Sequence, residues 1–180
     1  GIEGSFSEEA GLLYAQRESI DPVFKFAVDM EGVLASVENG ESEIGIFPVV
    51  NSRGGLVQTA YEAMGRHQFS LISELWLEVF QCLMVLPGTK KEDITQIVTH
   101  PQAISQCERY IRTHLPDVKL VEWEDTAKAA KDLHDGIIDA RSAVIAPARS
   151  AHIFDLELLE KGIQDNHPNL TTFIIVGPAK

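Results

Sequence analysis

Several short stretches of this chain carry side chains suited to binding and protonating a small molecule. Pro48 to Gly55 (PVVNSRGG) places an amide at Asn51, a hydroxyl at Ser52 and a guanidinium at Arg53 just past an apolar run. Open α/β sheets bind ligands beyond strand ends of this kind, and Gly54 and Gly55 let backbone N–H groups approach an anion because no Cβ intervenes. The same residues also read as a plain connection in which Asn51 and Ser52 cap the following helix. At His100-Pro101-Gln102 an imidazole and an amide stand where a strand gives way to a helix, with Gln106 one turn further along the same face and Cys107 beside it. A loop histidine and a surface pair of glutamines account for that pattern equally well. Asp125-Thr126-Ala127 opens another helix; it is foremost an N-cap, although such N-termini also attract carboxylates, which brings in Thr126. Near the C-terminus, Thr171 and Thr172 are adjacent hydroxyls in a strand-like run, so they point to opposite faces and only one can serve a given site.

The elements that must hold these residues alternate between strand-like and helical patterns, which predicts an α/β fold with a mainly parallel sheet. Val23 to Val28 (VFKFAV) reads as a strand, followed by a helix that Asp29 caps and Asn39-Gly40 ends. Glu43 to Val50 reads as a strand, and Leu56 to Met64 has helical periodicity. The nearly continuous apolar run from Phe69 to Leu86 is long enough to pass from one sheet to another and marks a lobe boundary. After Pro87-Gly88 the alternation resumes, with strand 97–99, helix 102–114, strand 118–121, helix 126–133 and strand 143–146. A last strand, Thr171 to Val176, follows a loop at Asp165 to Asn169 and returns to the first lobe. The expected division is residues 1–76 plus 164–180 as lobe 1 and residues 77–163 as lobe 2.

Composition narrows the function further. With 44% hydrophobic and 23% charged residues the chain is an ordinary globular sequence. No apolar run approaches the roughly 20 residues that cross a bilayer, and Gly1 to Ala10 is acidic where a signal peptide is basic, so no membrane partner and a cytoplasmic location are expected. A net charge of −12, with no basic cluster longer than Lys90-Lys91, argues against nucleic acid. Cys82 and Cys107 are isolated in apolar stretches, which suits buried thiols better than a zinc site or a disulfide. The six histidines show no HxH, HxxH or HExxH spacing, so no metal is expected.

Taken in chain order, Gly1-Ile2-Glu3-Gly4-Ser5-Phe6-Ser7, Pro48-Val49-Val50-Asn51-Ser52 with Gly55, His100-Pro101-Gln102-Ala103 with Gln106-Cys107, Asp125-Thr126-Ala127 and Asn169-Leu170-Thr171-Thr172-Phe173 resemble the catalytic domain of prephenate dehydratases. The match runs over nearly the whole chain, and Ile163-Gln164-Asp165 fits the same pattern. The resemblance implies two small α/β lobes of the periplasmic-binding-protein kind with the ligand cleft between them. It implies prephenate as substrate, phenylpyruvate, carbon dioxide and water as products in phenylalanine biosynthesis, and no cofactor. It also assigns roles: Thr171, from the family's Thr-Arg-Phe motif, assists departure of the ring hydroxyl, and Asn51 and Gln106 complete the catalytic candidates. Ser52, Arg53, Gly55, Gln81, His100, Thr126 and Thr172 are the substrate-binding candidates. Such residues suit the reaction because prephenate stores its own driving force: loss of a carboxylate and the 4-hydroxyl makes the ring aromatic. A hydroxyl donor at the leaving oxygen, with amides and N–H groups for two carboxylates, stabilises the charge that develops. Threonine is a very weak acid, so Thr171 is expected to polarise or relay a proton rather than surrender one.

The sequence departs from the family pattern at Val50, where the family has glutamate, at Thr172 (arginine), at Gln81 (histidine) and at Pro147 (a small polar residue). Losing the arginine removes a bidentate carboxylate clamp, for which Arg53 and Arg149 are the candidate substitutes. The family's phenylalanine-sensing ACT domain is not represented in these 180 residues. A homodimer, or fusion to other aromatic-pathway domains, is the expected assembly. The competing reading is a catalytically silent or repurposed domain that binds prephenate or a related aromatic metabolite, including one with prephenate decarboxylase-like activity.

Overall fold

From Gly45 to Asn51 buried and half-buried residues alternate, as they do in a strand whose two faces meet different neighbours. In the computed structural model, which describes residues 1–180, this strand (β1, Gly45–Asn51) belongs to a four-stranded sheet with β2 (Gly55–Leu56), β3 (Phe69–Glu78) and β9 (Leu170–Pro178). The order is β2-β1-β9-β3 and every pairing is antiparallel. Phe47, Val49, Ile174 and Val176 pack against α2 (Met30–Glu38) and α3 (Gln58–Met64) through Leu34, Ala60 and Ala63. Phe173, Ile175, Leu75 and Leu77 form a second cluster with Ala10 and Tyr14 of α1 (Phe6–Glu18). Full burial of each large side chain contributes roughly 1.5–3 kcal/mol, and Phe47, Phe173 and Ile175 are all at most 2% exposed. Helix α2 lies close on β1: a Cβ added at Gly45 would stand 2.7 Å from Val33 Cγ1. These elements make up one compact unit, Gly1–Ile2, Phe6–Glu78 and Asn169–Lys180.

The second unit, Glu3–Ser5 and Val79–Pro168, holds a five-stranded sheet. Its strands are β4 (Cys82–Val85), β5 (Gln96–Thr99), β6 (Lys119–Glu122), β7 (Ser142–Ala146) and β8 (Glu157–Lys161), in the order β6-β5-β7-β4-β8. Strand β5 is parallel to β6 and β7, whereas β4 is antiparallel to β7 and β8. Leu83, Val85, Ile97, Ala143 and Ile145 pack with Ala103 of α4 (Pro101–Gln106), with Cys107, and with Tyr110 and Ile111 of α5 (Glu108–His114). Helix α6 (Thr126–His134) contributes Ala127, Ala130 and Leu133, all fully buried. Helix α7 (Ala148–Ile153) follows β7 directly, with buried Pro147 at its N-cap.

Several sequence expectations are revised. The sheets are not mainly parallel, because β9 arrives from the C-terminus and pairs between β1 and β3, an arrangement that local alternation cannot reveal. Val23 to Val28 forms no strand. Its apolar residues find a different use: Phe24 rests on α1 at Gly11, where a Cβ would come within 2.6 Å of its ring, and stacks on Phe26 at 6.1 Å, while Val23 is 99% exposed. The helix expected over 102–114 is broken at Cys107 (φ −115°) into α4 and α5. The break is held by Asp165, whose carboxylate accepts from the Arg109 and Tyr110 N–H groups (2.8 and 3.2 Å), donors that a helix start leaves without partners. Finally, α1 and β8 lie where the sequence pattern predicted no element.

Candidate functional site

In the first unit, one irregularity decides which polar groups meet. Between Pro48 and Val50 the pairing of β1 with β9 slips by one residue. Side chains alternate along a strand, so such a bulge reverses the faces of every residue beyond it. Val50 therefore shares the α2/α3 face with its partner Thr172, and Asn51 turns to the other face beside its partner Thr171. There the Asn51 amide, 5% exposed, uses all its bonding capacity. Its Nδ2 donates to Thr171 Oγ1 at 2.8 Å and to Asn169 Oδ1 at 2.9 Å, and its Oδ1 accepts from the Arg53 and Gly54 N–H groups, each at 2.8 Å. Those two backbone donors settle which end of the amide is oxygen. Ser52 completes the ring of bonds: its N–H donates to Leu170 O (2.8 Å) and its Oγ accepts from Leu170 N–H (2.9 Å).

The turn after β1 thus closes a hairpin, with Asn51 opposite Gly55 at φ +74°, rather than leading straight into a helix. Asn51 caps that turn, and α3 has Val57 at its N-cap with no side-chain cap bond. Arg53 is exposed and lies outside the unit's salt bridges, Arg17–Glu18, Lys25–Glu41, Arg66–Glu31 and His67 with Glu31 and Glu38. Sequence reasoning missed Asn169, which is 1% exposed and orients Asn51. Its place at the head of the Asn169-Leu170-Thr171 motif was the available signal.

The second unit carries a separate cluster of amides. Gln81 Nε2 donates to Gln106 Oε1 at 3.1 Å, and Gln164 Oε1 accepts from the Gln81 N–H at 3.0 Å. Gln81 and Gln164 are each 4% exposed, while Gln106 is half-buried at the end of α4. His100 is the N-cap of α4, its Nδ1 accepting from the Gln102 N–H at 3.1 Å, and so serves the helix. Thr126 is the first residue of α6, half-buried beside the cap that Asp125 supplies to the Lys128 N–H at 2.9 Å. Cys107, next to Gln106, is fully buried. Burial, with the Asp165 carboxylate and Cys82 nearby, pushes its thiol well above the ordinary range, so it stays protonated and is no nucleophile. Arg149 is exposed on α7.

The sequence profile described as "Prephenate dehydratase" matches residues 1–180. The chain belongs to the prephenate dehydratase family. It is 36% identical over 177 residues to arogenate dehydratase/prephenate dehydratase 6, chloroplastic, of Arabidopsis thaliana, a match covering 98% of this chain and 41% of that protein. It is 32% identical to the bifunctional chorismate mutase/prephenate dehydratase of Pseudomonas aeruginosa, covering 98% of this chain and 47% of that one. This family domain therefore spans less than half the length of those curated relatives. Among solved structures, prephenate dehydratase in complex with L-Phe from Arthrobacter aurescens matches with a TM-score of 0.88 at 27% identity, over 100% of this chain and 58% of that chain.

Two departures from the family pattern named above, Val50 and Thr172, prove to be direct cross-strand partners. A glutamate and an arginine at these positions would face one another, so the two departures fall on a single cross-strand pair. Both side chains lie on the sheet face opposite Asn51 and Thr171, whose hydrogen bond is intact.

Proposed function

We propose that this domain catalyses the dehydration and decarboxylation of prephenate to phenylpyruvate, carbon dioxide and water. The observation that carries the reading is the bond from Asn51 Nδ2 to Thr171 Oγ1. A threonine hydroxyl has one hydrogen to give. Because Asn51 fills an acceptor position on Oγ1, the Thr171 O–H is directed away from Asn51 and can be given to another oxygen. In the reaction that oxygen is the ring 4-hydroxyl. The bond to the ring carboxylate breaks, its electron pair enters the ring, the C4–O bond breaks, and one proton converts the departing hydroxyl into water. Thr171 stabilises the leaving oxygen as charge gathers there, and the Asn51 dipole strengthens it as a donor. Since Asn51 cannot itself supply a proton, the net proton comes from solvent through the Thr171 hydroxyl.

The substrate's carboxylates require donors and positive charge. In the first unit Arg53, exposed in the Asn51 turn, supplies both. Ser52 and Asn169 hold the Asn51–Thr171 pair in place, since each bonds across from one strand end to the other. The decisive experiment incubates the purified protein with prephenate and, separately, with arogenate. Phenylpyruvate is read by its absorbance in alkali and phenylalanine by chromatography. Turnover of prephenate above the acid-corrected background supports the reading. Turnover of arogenate alone reassigns the substrate, and retained binding without product establishes the silent alternative.

A further inference from the structure

We infer that Asn39 is a site of spontaneous covalent modification in the folded chain. The Gly40 nitrogen displaces the Asn39 amide as ammonia, and hydrolysis of the resulting succinimide leaves isoaspartate or aspartate at the C-terminal end of α2, weakening that helix.

Such chemistry needs an asparagine with an accessible carboxamide and an unhindered nitrogen after it. Asparagine occurs at positions 39, 51, 166 and 169. Asn51 and Asn169 are 5% and 1% exposed and are bonded to one another. Asn166 is exposed but is followed by His167, whose side chain crowds the attacking nitrogen. Asn39 is exposed and glycine follows it, with open space around: a Cβ built at Gly40 would meet nothing within 4 Å. In the reaction Gly40 N yields its proton to solvent and bonds to Asn39 Cγ. The Cγ–Nδ2 bond breaks, and ammonia leaves with a proton from solvent. Water then opens the ring at either carbonyl, the backbone one giving isoaspartate and the side-chain one aspartate.

The local backbone decides both when this happens and what it does. The Gly40 N–H donates to Val37 O at 3.1 Å and the Glu41 N–H to Ser36 O at 2.8 Å. With Gly40 at φ +73°, the pair forms the Schellman arrangement that ends α2. Ring closure therefore starts from a frayed cap, a local opening that costs far less than global unfolding. Helix α6 ends in the same way at Asp135-Gly136: Gly136, at φ +75°, donates to Leu133 O at 3.2 Å, and the Ile137 N–H donates to Asp132 O at 2.9 Å. There the reacting group is a carboxylate paired with Lys131, and an ionised carboxylate is a poor electrophile. The two helix ends thus share a backbone and differ in the group that would react. Isoaspartate carries the main chain through the former side chain, which adds a backbone atom between Glu38 and Gly40, so the two cap bonds cannot both be kept. Either product also places a negative charge at the negative end of the helix dipole, beside Glu38 and Glu41. The disturbance reaches the core, because Val37, in the last turn, is fully buried.

The test ages the purified protein at mildly alkaline pH beside Asn39→Gln, whose longer side chain cannot close the same ring. Peptides are mapped by mass spectrometry and isoaspartate is read with an isoaspartate-specific methyltransferase. The wild type should lose the Asn39 amide, mainly to isoaspartate, while Asn51 and Asn169 keep theirs and Asp135 stays unchanged. Its guanidinium midpoint should fall in step with that loss, and the midpoint of aged Asn39→Gln should hold. An Asn39 amide that survives while an unfolded peptide of the same sequence converts overturns the inference. Isomerisation of Asp135 as fast as the change at Asn39 also overturns it, since the free amide would then not be what decides. A modified protein with an unchanged midpoint refutes the weakening of α2.

Discussion

Replacing Asn51 by aspartate reverses one hydrogen bond while changing almost no volume. The oxygen that accepts from the Arg53 and Gly54 N–H groups keeps both partners. The atom that now donates at 2.8 Å to Thr171 and at 2.9 Å to Asn169 becomes an acceptor. The Thr171 hydroxyl then turns its hydrogen toward the new carboxylate and no longer offers it to the leaving group. For stability, the opposed oxygens at Asn169 cost about 1–3 kcal/mol, and the charge-assisted bond from Thr171 returns about 1.5–3 kcal/mol. The variant should therefore fold within about 2 kcal/mol of wild type, measurable by guanidinium denaturation. For catalysis, loss of one directed donor at a developing charge lowers kcat by roughly 10²- to 10³-fold. Thr171→Val should lose a similar amount, and the double variant should be little worse than either single one, because both remove the same donor. The reasoning is refuted if Asn51→Asp stays within tenfold of wild-type kcat, or if the two losses multiply.

Other consequences are measurable on the same protein. Val50→Glu, which puts a lone carboxylate on a half-buried apolar face, should lower stability by about 1–3 kcal/mol, and adding Thr172→Arg opposite it should recover about 0.2–1 kcal/mol in a double-mutant cycle; strict additivity would deny the coupling. Gly45→Ala forces a methyl to within 2.7 Å of Val33 and 3.0 Å of Val37, and should destabilise by about 1–3 kcal/mol in denaturant. His67 lies between Glu38 (2.6 Å) and Glu31 (2.9 Å). These bonds, Glu38 first, raise its pKa above the ordinary imidazole value, and their reciprocals lower those of both carboxylates. The imidazolium contribution is accordingly complete below about pH 6.5 and lost as pH rises through the folded-state value, whereas the carboxylate contributions are lost as pH falls through theirs. Thermal melts should show stability declining above neutrality in the wild type, and His67→Gln should flatten that decline; an identical slope in the variant would exclude the clasp.

Much of this architecture is visible in short stretches of sequence. The Asp125 cap with the alanine-rich α6, the apolar run Ala143 to Ala146 of β7, and the alternation of β1 all follow from local rules, because caps and periodic burial are satisfied within a few residues. The chemistry-bearing side chains, Asn51, Ser52, Gln106 and Thr171, and their order along the chain are also plain from sequence. Their partners are not. Asn51 meets Asn169 and Thr171 across separations of 118 and 120 residues, and Gln81 meets Gln164 across 83. No local periodicity encodes which distant strand will slot between β1 and β3. The bulge between Pro48 and Val50 makes the point most sharply. Strict alternation from Phe47 would put Asn51 on the α2/α3 face, away from Thr171. Packing both Val49 and Val50 toward α2 and α3 turns the next side chain over, and a one-residue slip in the ladder brings the amide to the hydroxyl.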